Sequence, residues 1–189
     1  MTATTSTSRP LRADAARNRA RLLEVAYETF AAEGLAVPID EIARRAGVGA
    51  GTVYRHFPTK EALFEAVIED RVRGVVARAR ELMAADPGTA LFEFMQELAC
   101  AATADQGLLD AFEGYGVDVE SAGRDAEGAF LGIVEELITA AQRAGTVRRD
   151  VGLAELKALM MVCKSARECG PGVADRVAAV ITDGLRTSR

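Results

Sequence analysis

A chain of 189 residues with 49% apolar and 27% charged residues has the size and composition of one or two globular domains, which excludes a disordered chain. A net charge of −5 argues at first against a nucleic-acid partner, but residues 9–60 hold nine Lys/Arg and six Asp/Glu, net +3, while residues 61–189 are net −8. A basic head on an acidic body is compatible with DNA, because the electrostatic attraction acts within about a Debye length of the phosphates.

The opening run MTATTSTSRP is polar and lacks an apolar h-region, so no signal peptide is expected. Nor does any stretch approach the ~18 apolar residues of a membrane span. Residues 1–12 read as a flexible arm, in which Arg9 and Arg12 could reach a minor groove. A first helix is expected from Ala13 to Glu33, stopped by Gly34, with Leu22, Ala26 and Phe30 as its inner stripe. Pro38 suits the first position of a second helix that ends at Gly47. There Ile42, Ala43 and Ala46 share one stripe. A third, short helix spans about Ala50 to His56. Its Val53 and the following Phe57 face inward, and Gly51, Thr52, Tyr54 and Arg55 are rotated off that face. Pro58 breaks the chain, and Thr59 is a candidate N-cap for a fourth helix that reaches about Ala84. Asp86-Pro87-Gly88 is a turn and marks a boundary. Helices then follow over about Thr89–Thr103, Gln106–Tyr115, Arg124–Ala144, Leu153–Glu168 and Gly172–Thr187, with a loop at Gly116–Gly123. The chain is therefore expected to be all-α, with about nine helices.

Ile39 to Phe64 carries the most information. A bracing helix, a glycine turn and a second short helix with a free outer face have the layout of a helix-turn-helix DNA reader. The runs Ala46-Gly47-Val48, Gly51-Thr52-Val53-Tyr54-Arg55-His56-Phe57 and Lys60-Glu61-Ala62-Leu63-Phe64 resemble the DNA-binding domain of the TetR family of bacterial transcriptional regulators. The resemblance covers about Arg17 to Val67. It implies a helix-turn-helix DNA-binding domain over 13–60, joined by a long fourth helix to a helical ligand-binding and dimerisation domain over 61–189.

The resemblance assigns DNA-backbone contacts to Tyr54, His56 and Lys60, and their phenol, imidazole and ammonium groups can all donate to phosphate oxygens. Arg17, Arg19 and Arg21 read either as a solvated helix face or as phosphate contacts. Arg44 and Arg45 suit phosphate better than bases. Ala50, Gly51 and Thr52 offer only methyl and hydroxyl contacts to base edges, and Arg55 is the one long donor able to reach a guanine. Gly49, Ala50 and Val37 depart from the family's common Ser, long polar residue and capping Thr. Direct readout is thereby thinned and more specificity is left to DNA shape.

For the body, the resemblance implies a cavity for a small, mostly apolar effector. The candidate lining is Phe92, Met95, Phe112, Phe130, Val134 and Met160, with Glu113, Tyr115 and Lys164 beside them; core packing is the alternative for each. Phe112 to Gly116 combines aromatics with two glycines and is a candidate trigger loop. The resemblance also implies a homodimer reading an inverted repeat of double-stranded operator DNA. Its interface would lie on the last two helices, through Leu156, Cys163, Arg167, Val173, Val177, Ile181 and Leu185. The alternative is that these helices cover only their own core.

Cys100, Cys163 and Cys169 form no CxxC pair, which suits small apolar residues in a reducing cytoplasm, with a Cys163/Cys169 thiol sensor as the alternative. No catalytic set, cofactor motif or metal cluster is legible, and the single His lies in the reading helix. The resulting expectation is a cytoplasmic, ligand-responsive repressor. The alternatives are an activator, or a small helical enzyme or adaptor carrying a helix-turn-helix pattern.

Overall fold

Ala, Leu, Arg and Glu dominate this chain, so helix is the default state and Gly and Pro decide where each helix stops. The computed structural model describes residues 8–98, 119–170 and 172–187, with side chains at 14, 16–98, 126–163, 165–166, 169–170 and 172–187. In chain order the helices are α1 (Ser8–Glu33), α2 (Ile39–Ala46), α3 (Ala50–His56), α4 (Lys60–Ala85), α5 (described over 90–98), α6 (Val119–Arg143), α7 (Leu153–Glu168) and α8 (Val173–Leu185). Among the described residues no strand forms, and an isolated bridge pairs Val147 with Arg186. The all-α expectation holds. The helix expected at Gln106–Tyr115 lies outside the described residues, together with Phe112, Glu113 and Tyr115.

Two helices begin earlier than the sequence suggested. Helix α1 starts at Ser8 rather than Ala13, so Arg9 and Arg12 lie on its backbone. Pro10 is tolerated there because the first turn of a helix has no intrahelical acceptors for its N–H groups. Helix α6 starts at Val119 and takes in Gly123, Gly128 and Gly132. A glycine in a helix costs about 1 kcal/mol against alanine, too little to stop a helix that is packed further along.

The chain divides into two compact units inside α4, one containing the residues up to Asp70 and the other starting at Arg71. In the first unit, Leu22, Ala26 and Phe30 of α1 are buried with Ile42, Ala43 and Ala46 of α2, Val53 of α3, and Leu63, Phe64 and Val67 of α4. Phe30 and Phe64 meet edge to face with centroids 5.6 Å apart, the geometry their quadrupoles favour. Helix α2 ends on Gly47, whose φ of 68° is left-handed and whose N–H turns back to Arg44 and Ala43 carbonyls. This is the reversal that brings α3 back across α2. Pro38 is the N-cap of α2, so the helix begins at Ile39, one residue later than expected. As expected, Thr59 caps α4, its Oγ1 accepting from the Ala62 N–H at 3.1 Å.

The second unit has its own core of Leu82, Leu91, Phe94, Ile133, Val134, Leu137, Leu156, Ile181 and Leu185. The Asp86-Pro87-Gly88 turn is held by the Gly88 N–H donating to Asp86 Oδ1 at 2.8 Å, and by Thr146 Oγ1 donating to the Gly88 carbonyl at 2.7 Å. A Cβ at Gly88 would stand 3.2 Å from Asp86 Oδ1 and 3.3 Å from Thr146 Cγ2, so the turn's tight seat favours glycine.

Phe30 and Ile42 have no exposed surface, so truncating either should destabilise the first unit. Phe30→Ala should cost about 3–5 kcal/mol, read as a lower denaturant midpoint with an unchanged m-value. A loss under 1 kcal/mol would show that this core is not packed as described.

Candidate nucleic-acid interface

Helix α3 has seven residues and no side-chain N-cap, and a helix that short is not stable alone. Val53, with no exposed surface, and the C-cap Phe57, 6% exposed, fasten it to the core of the first unit. Gly51, Thr52, Tyr54, Arg55 and His56 are exposed, as their spacing predicts, and Tyr54 keeps 43% of its surface. Ala50 is half-buried against the core, which leaves its methyl only partly available. The outer face therefore presents a hydroxyl, a phenol, a guanidinium and an imidazole on a scaffold narrow enough for a DNA major groove.

The basic residues around α3 are differently engaged. Lys60, in the first turn of α4, donates from Nζ to the Leu35 carbonyl at 2.8 Å. This bond ties α4 to the segment before α2. An ammonium has three donors, so two remain for a phosphate. Arg44 makes a forked pair with Glu41, at 2.8 Å and 2.7 Å. Arg45 bonds Glu41 at 2.7 Å and also pairs with Glu33 at the end of α1. Hydrogen bonds from Arg44 and Arg45 hold the Glu41 carboxyl down to about 2, so it stays charged and offsets part of the arginines' charge. Arg17 pairs with Asp14, and Arg21 is exposed. Arg19 stands 5.9 Å above the Phe57 ring, next to the end of α3.

In the second unit, Phe92 and Val134 are buried, and Met95, Phe130 and Met160 are half-buried in the same cluster. The Phe94 and Phe130 rings lie 6.4 Å apart, and the Arg186 guanidinium covers Phe92 at 4.4 Å. Glu97 is tied to Arg78 by a forked pair, at 2.6 Å and 2.9 Å. The side chain of Lys164 lies outside the described residues, as does that of Arg167. Among the described residues, no three His, Cys, Asp or Glu converge as metal ligands, and no helix is long and apolar enough to cross a membrane.

Residues 22–67 match the family model for bacterial regulatory proteins of the tetR family, and residues 86–187 match the model for the C-terminal domain of SbtR-like transcriptional regulators. The second match alone spans more than half of the chain. This chain belongs to the TetR family of bacterial transcriptional regulators. A crystal structure of a TetR transcription regulatory protein from Mycobacterium vanbaalenii is similar over 94% of this chain and all of that one, at 63% identity and a TM-score of 0.80. A TetR regulator from Streptomyces coelicolor is similar over 90% of this chain and 99% of that one, at 31% identity and a TM-score of 0.73. Among curated relatives, two HTH-type transcriptional regulators from Staphylococcus aureus are 34% identical over 73 residues and 42% identical over 60, or 38% and 31% of this chain. Those matches span only 40% and 32% of the relatives' own lengths.

Within the TetR frame, α3 keeps an exposed polar face and Lys60 keeps donors beyond its Leu35 bond, whereas Arg44 and Arg17 each share their charge with a carboxylate. Arg19 differs from Arg17 and Arg21 by its place seven residues before Ala26, on the helix face that leads to the core. Leu156, Ile181 and Leu185 are 1%, 8% and 2% exposed and pack in the core of their own unit. Cys163, Val173 and Val177 are half-buried. The large apolar side chains that α7 and α8 present outward are Met161, Val162 and Val180, at 71%, 51% and 72% exposure. Large apolar residues occur on both faces of these helices, so periodicity did not separate the core face from the outer one.

Arg55→Ala should relax discrimination at one base position by about 1–3 kcal/mol while leaving the fold intact. Lys60→Ala should weaken binding to all duplexes alike and lower the salt slope by about one. Because it also breaks the Leu35 bond, it should cost about 1.5–3 kcal/mol of stability. Salt titrations of both variants on matched and mismatched duplexes test this, and an unchanged salt slope for Lys60→Ala would contradict it.

Proposed function

We propose that this chain is a ligand-responsive repressor that binds an inverted-repeat operator as a homodimer and releases it when a small, mostly apolar effector binds in the body. The observation that carries the reading is α3, a seven-residue helix anchored by Val53 whose Thr52, Tyr54, Arg55 and His56 all face solvent. A helix too short to stand alone, held by Val53 and its C-cap Phe57, suits a groove reader better than a core element. The helix-turn-helix over residues 13–60 serves for reading, and the unit that starts at Arg71 for sensing and dimerisation.

The exposed Met161, Val162 and Val180 are the proposed two-fold contact. Three large apolar side chains on two neighbouring helices form the kind of patch that a partner copy covers. Val180→Asp should therefore give folded monomers that bind DNA far more weakly, because each head loses the effective concentration its partner supplies. Ile181→Asp should unfold the protein instead, since Ile181 lies in the core. Sedimentation and circular dichroism of the pair separate the two outcomes. A Val180→Asp protein that remains dimeric would remove α8 from the interface.

Effector binding is placed in the cluster around Phe92, Met95, Phe130, Val134 and Met160. The lever is α4, whose residues up to Asp70 belong to the reading unit and whose residues from Arg71 belong to the sensing unit. Two heads must fit successive grooves at once, so a small change in their spacing loses much of the bivalent advantage. Linkage requires operator DNA to weaken the effector by the factor by which the effector weakens DNA. The test is to titrate compounds selected by thermal shift against the protein with and without operator. Equal affinities would end the sensor reading while leaving DNA binding intact.

A further inference from the structure

Three segments that lie far apart in the chain meet within the second unit: the Asp86-Pro87-Gly88 turn after α4, the loop between α6 and α7, and the end of α8. The loop and the end of α8 are joined through their backbones. The Arg148 N–H donates to the Leu185 carbonyl at 3.0 Å, and the Thr187 N–H donates to the Thr146 carbonyl at 3.1 Å. The Thr187 hydroxyl donates to the Gly145 carbonyl at 2.8 Å. On the other side of the loop, the Thr146 hydroxyl lies 2.7 Å from the Gly88 carbonyl and 3.1 Å from that of Ala141. A hydroxyl has one proton, and the shorter contact, to Gly88, takes it. Val147 and Leu185 are buried under this junction.

Each of the three segments already ends by bonds of its own. The turn closes through Asp86 Oδ1, which accepts from the Gly88 N–H. Helix α6 stops at the left-handed Gly145, whose N–H returns to the Gln142 carbonyl. At the end of α8 the Arg186 N–H returns to the Asp183 carbonyl. The Thr146 and Thr187 hydroxyl bonds span 58 and 42 residues and are needed for none of these local endings. They are a separate fastening. What they fasten is the end of α4, the helix whose first residues belong to the reading unit, and the end of α8, the helix that carries the exposed Val180.

We infer that Thr146 is a positioning residue for DNA recognition: through Gly88 and Thr187 it mounts the end of α4 on the dimer helix, and so sharpens the half-site spacing that paired heads accept. The inference rests on the dimeric DNA-binding reading above. Sequence within a half-site is read by α3, which Thr146 does not touch. Spacing between half-sites is a separate element of specificity, set by how stiffly each head is held to the two-fold axis. A loose mount lets the second head follow its groove to several spacings, and a stiff one excludes all but a narrow range.

The test uses the full chain, an operator enriched by the wild-type protein from a randomised pool, a copy with its half-sites moved apart by about two base pairs, and a duplex carrying one half-site. Wild type should favour the selected spacing on the order of tenfold, and T146V should reduce that preference to about twofold. T187V removes the opposite hydroxyl of the junction and should follow T146V. T146S keeps the hydroxyl and should behave as wild type. Affinity for the single half-site, and the dimer dissociation constant from sedimentation, should be unchanged in all three variants. The Arg148 and Thr187 amides should exchange faster in T146V than in wild type, a readout that needs no DNA. If T146V and T187V keep the wild-type spacing preference, or if those amides exchange no faster, the junction does not position the heads and the regulator reading stands. A preference lost only together with dimerisation or half-site affinity would make Thr146 a stabilising residue and overturn the inference. If wild type enriches no inverted repeat, the dimeric reading and this inference fall together.

Discussion

The burial of Val53 and Phe57 beneath α3 is the constraint on which the rest of the head depends. A helix of seven residues forms too few hydrogen bonds to offset its nucleation cost, so tertiary packing must hold it. One buried valine and one buried phenylalanine do so, and they leave every polar group of the helix facing outward. The left-handed Gly47 allows the chain to reverse and lay α3 across α2. The Lys60 bond to Leu35 and the Thr59 cap then fix the start of α4 against the same core. Reading face and scaffold are thus one packing problem.

The head was largely legible in the sequence because its signals are local. Gly47, Pro58 and Thr59 punctuate it, and Val53 and Phe57 have a spacing that only one helix face can satisfy. The body was legible as helices and much less so as surfaces. Leu156 and Val180 look alike in sequence, yet one is in the core and the other is exposed. What separates them is the position of neighbouring helices, which a period of 3.6 residues does not encode. Helices α1 and α6 extend past their expected starts for a related reason: Pro10 and Gly123 carry breaker signals that position within a helix can override. Arg44 looked like a free phosphate ligand until its fork to Glu41 was seen three residues away.

Electrostatics divides the molecule more finely than a basic head and an acidic body. The folded part of the head is itself acidic, and the positive charge is concentrated in α1 before Leu22. An acidic surface opposes indiscriminate attachment to a polyanion. Within the head, bonds from Arg44 and Arg45 hold the Glu41 carboxyl down to about 2, and the Arg45 pair with Glu33 braces α2 against the end of α1.

The central claim is that α3 reads duplex sequence in two symmetry-related copies. Selection of duplexes from a fully randomised pool by the purified full-length chain, followed by sequencing, tests it most directly. The account predicts enrichment of an inverted repeat whose half-sites lie about one helical turn apart or somewhat more. Recovery of no enriched sequence, or of a single unrepeated site bound by one copy, would contradict it.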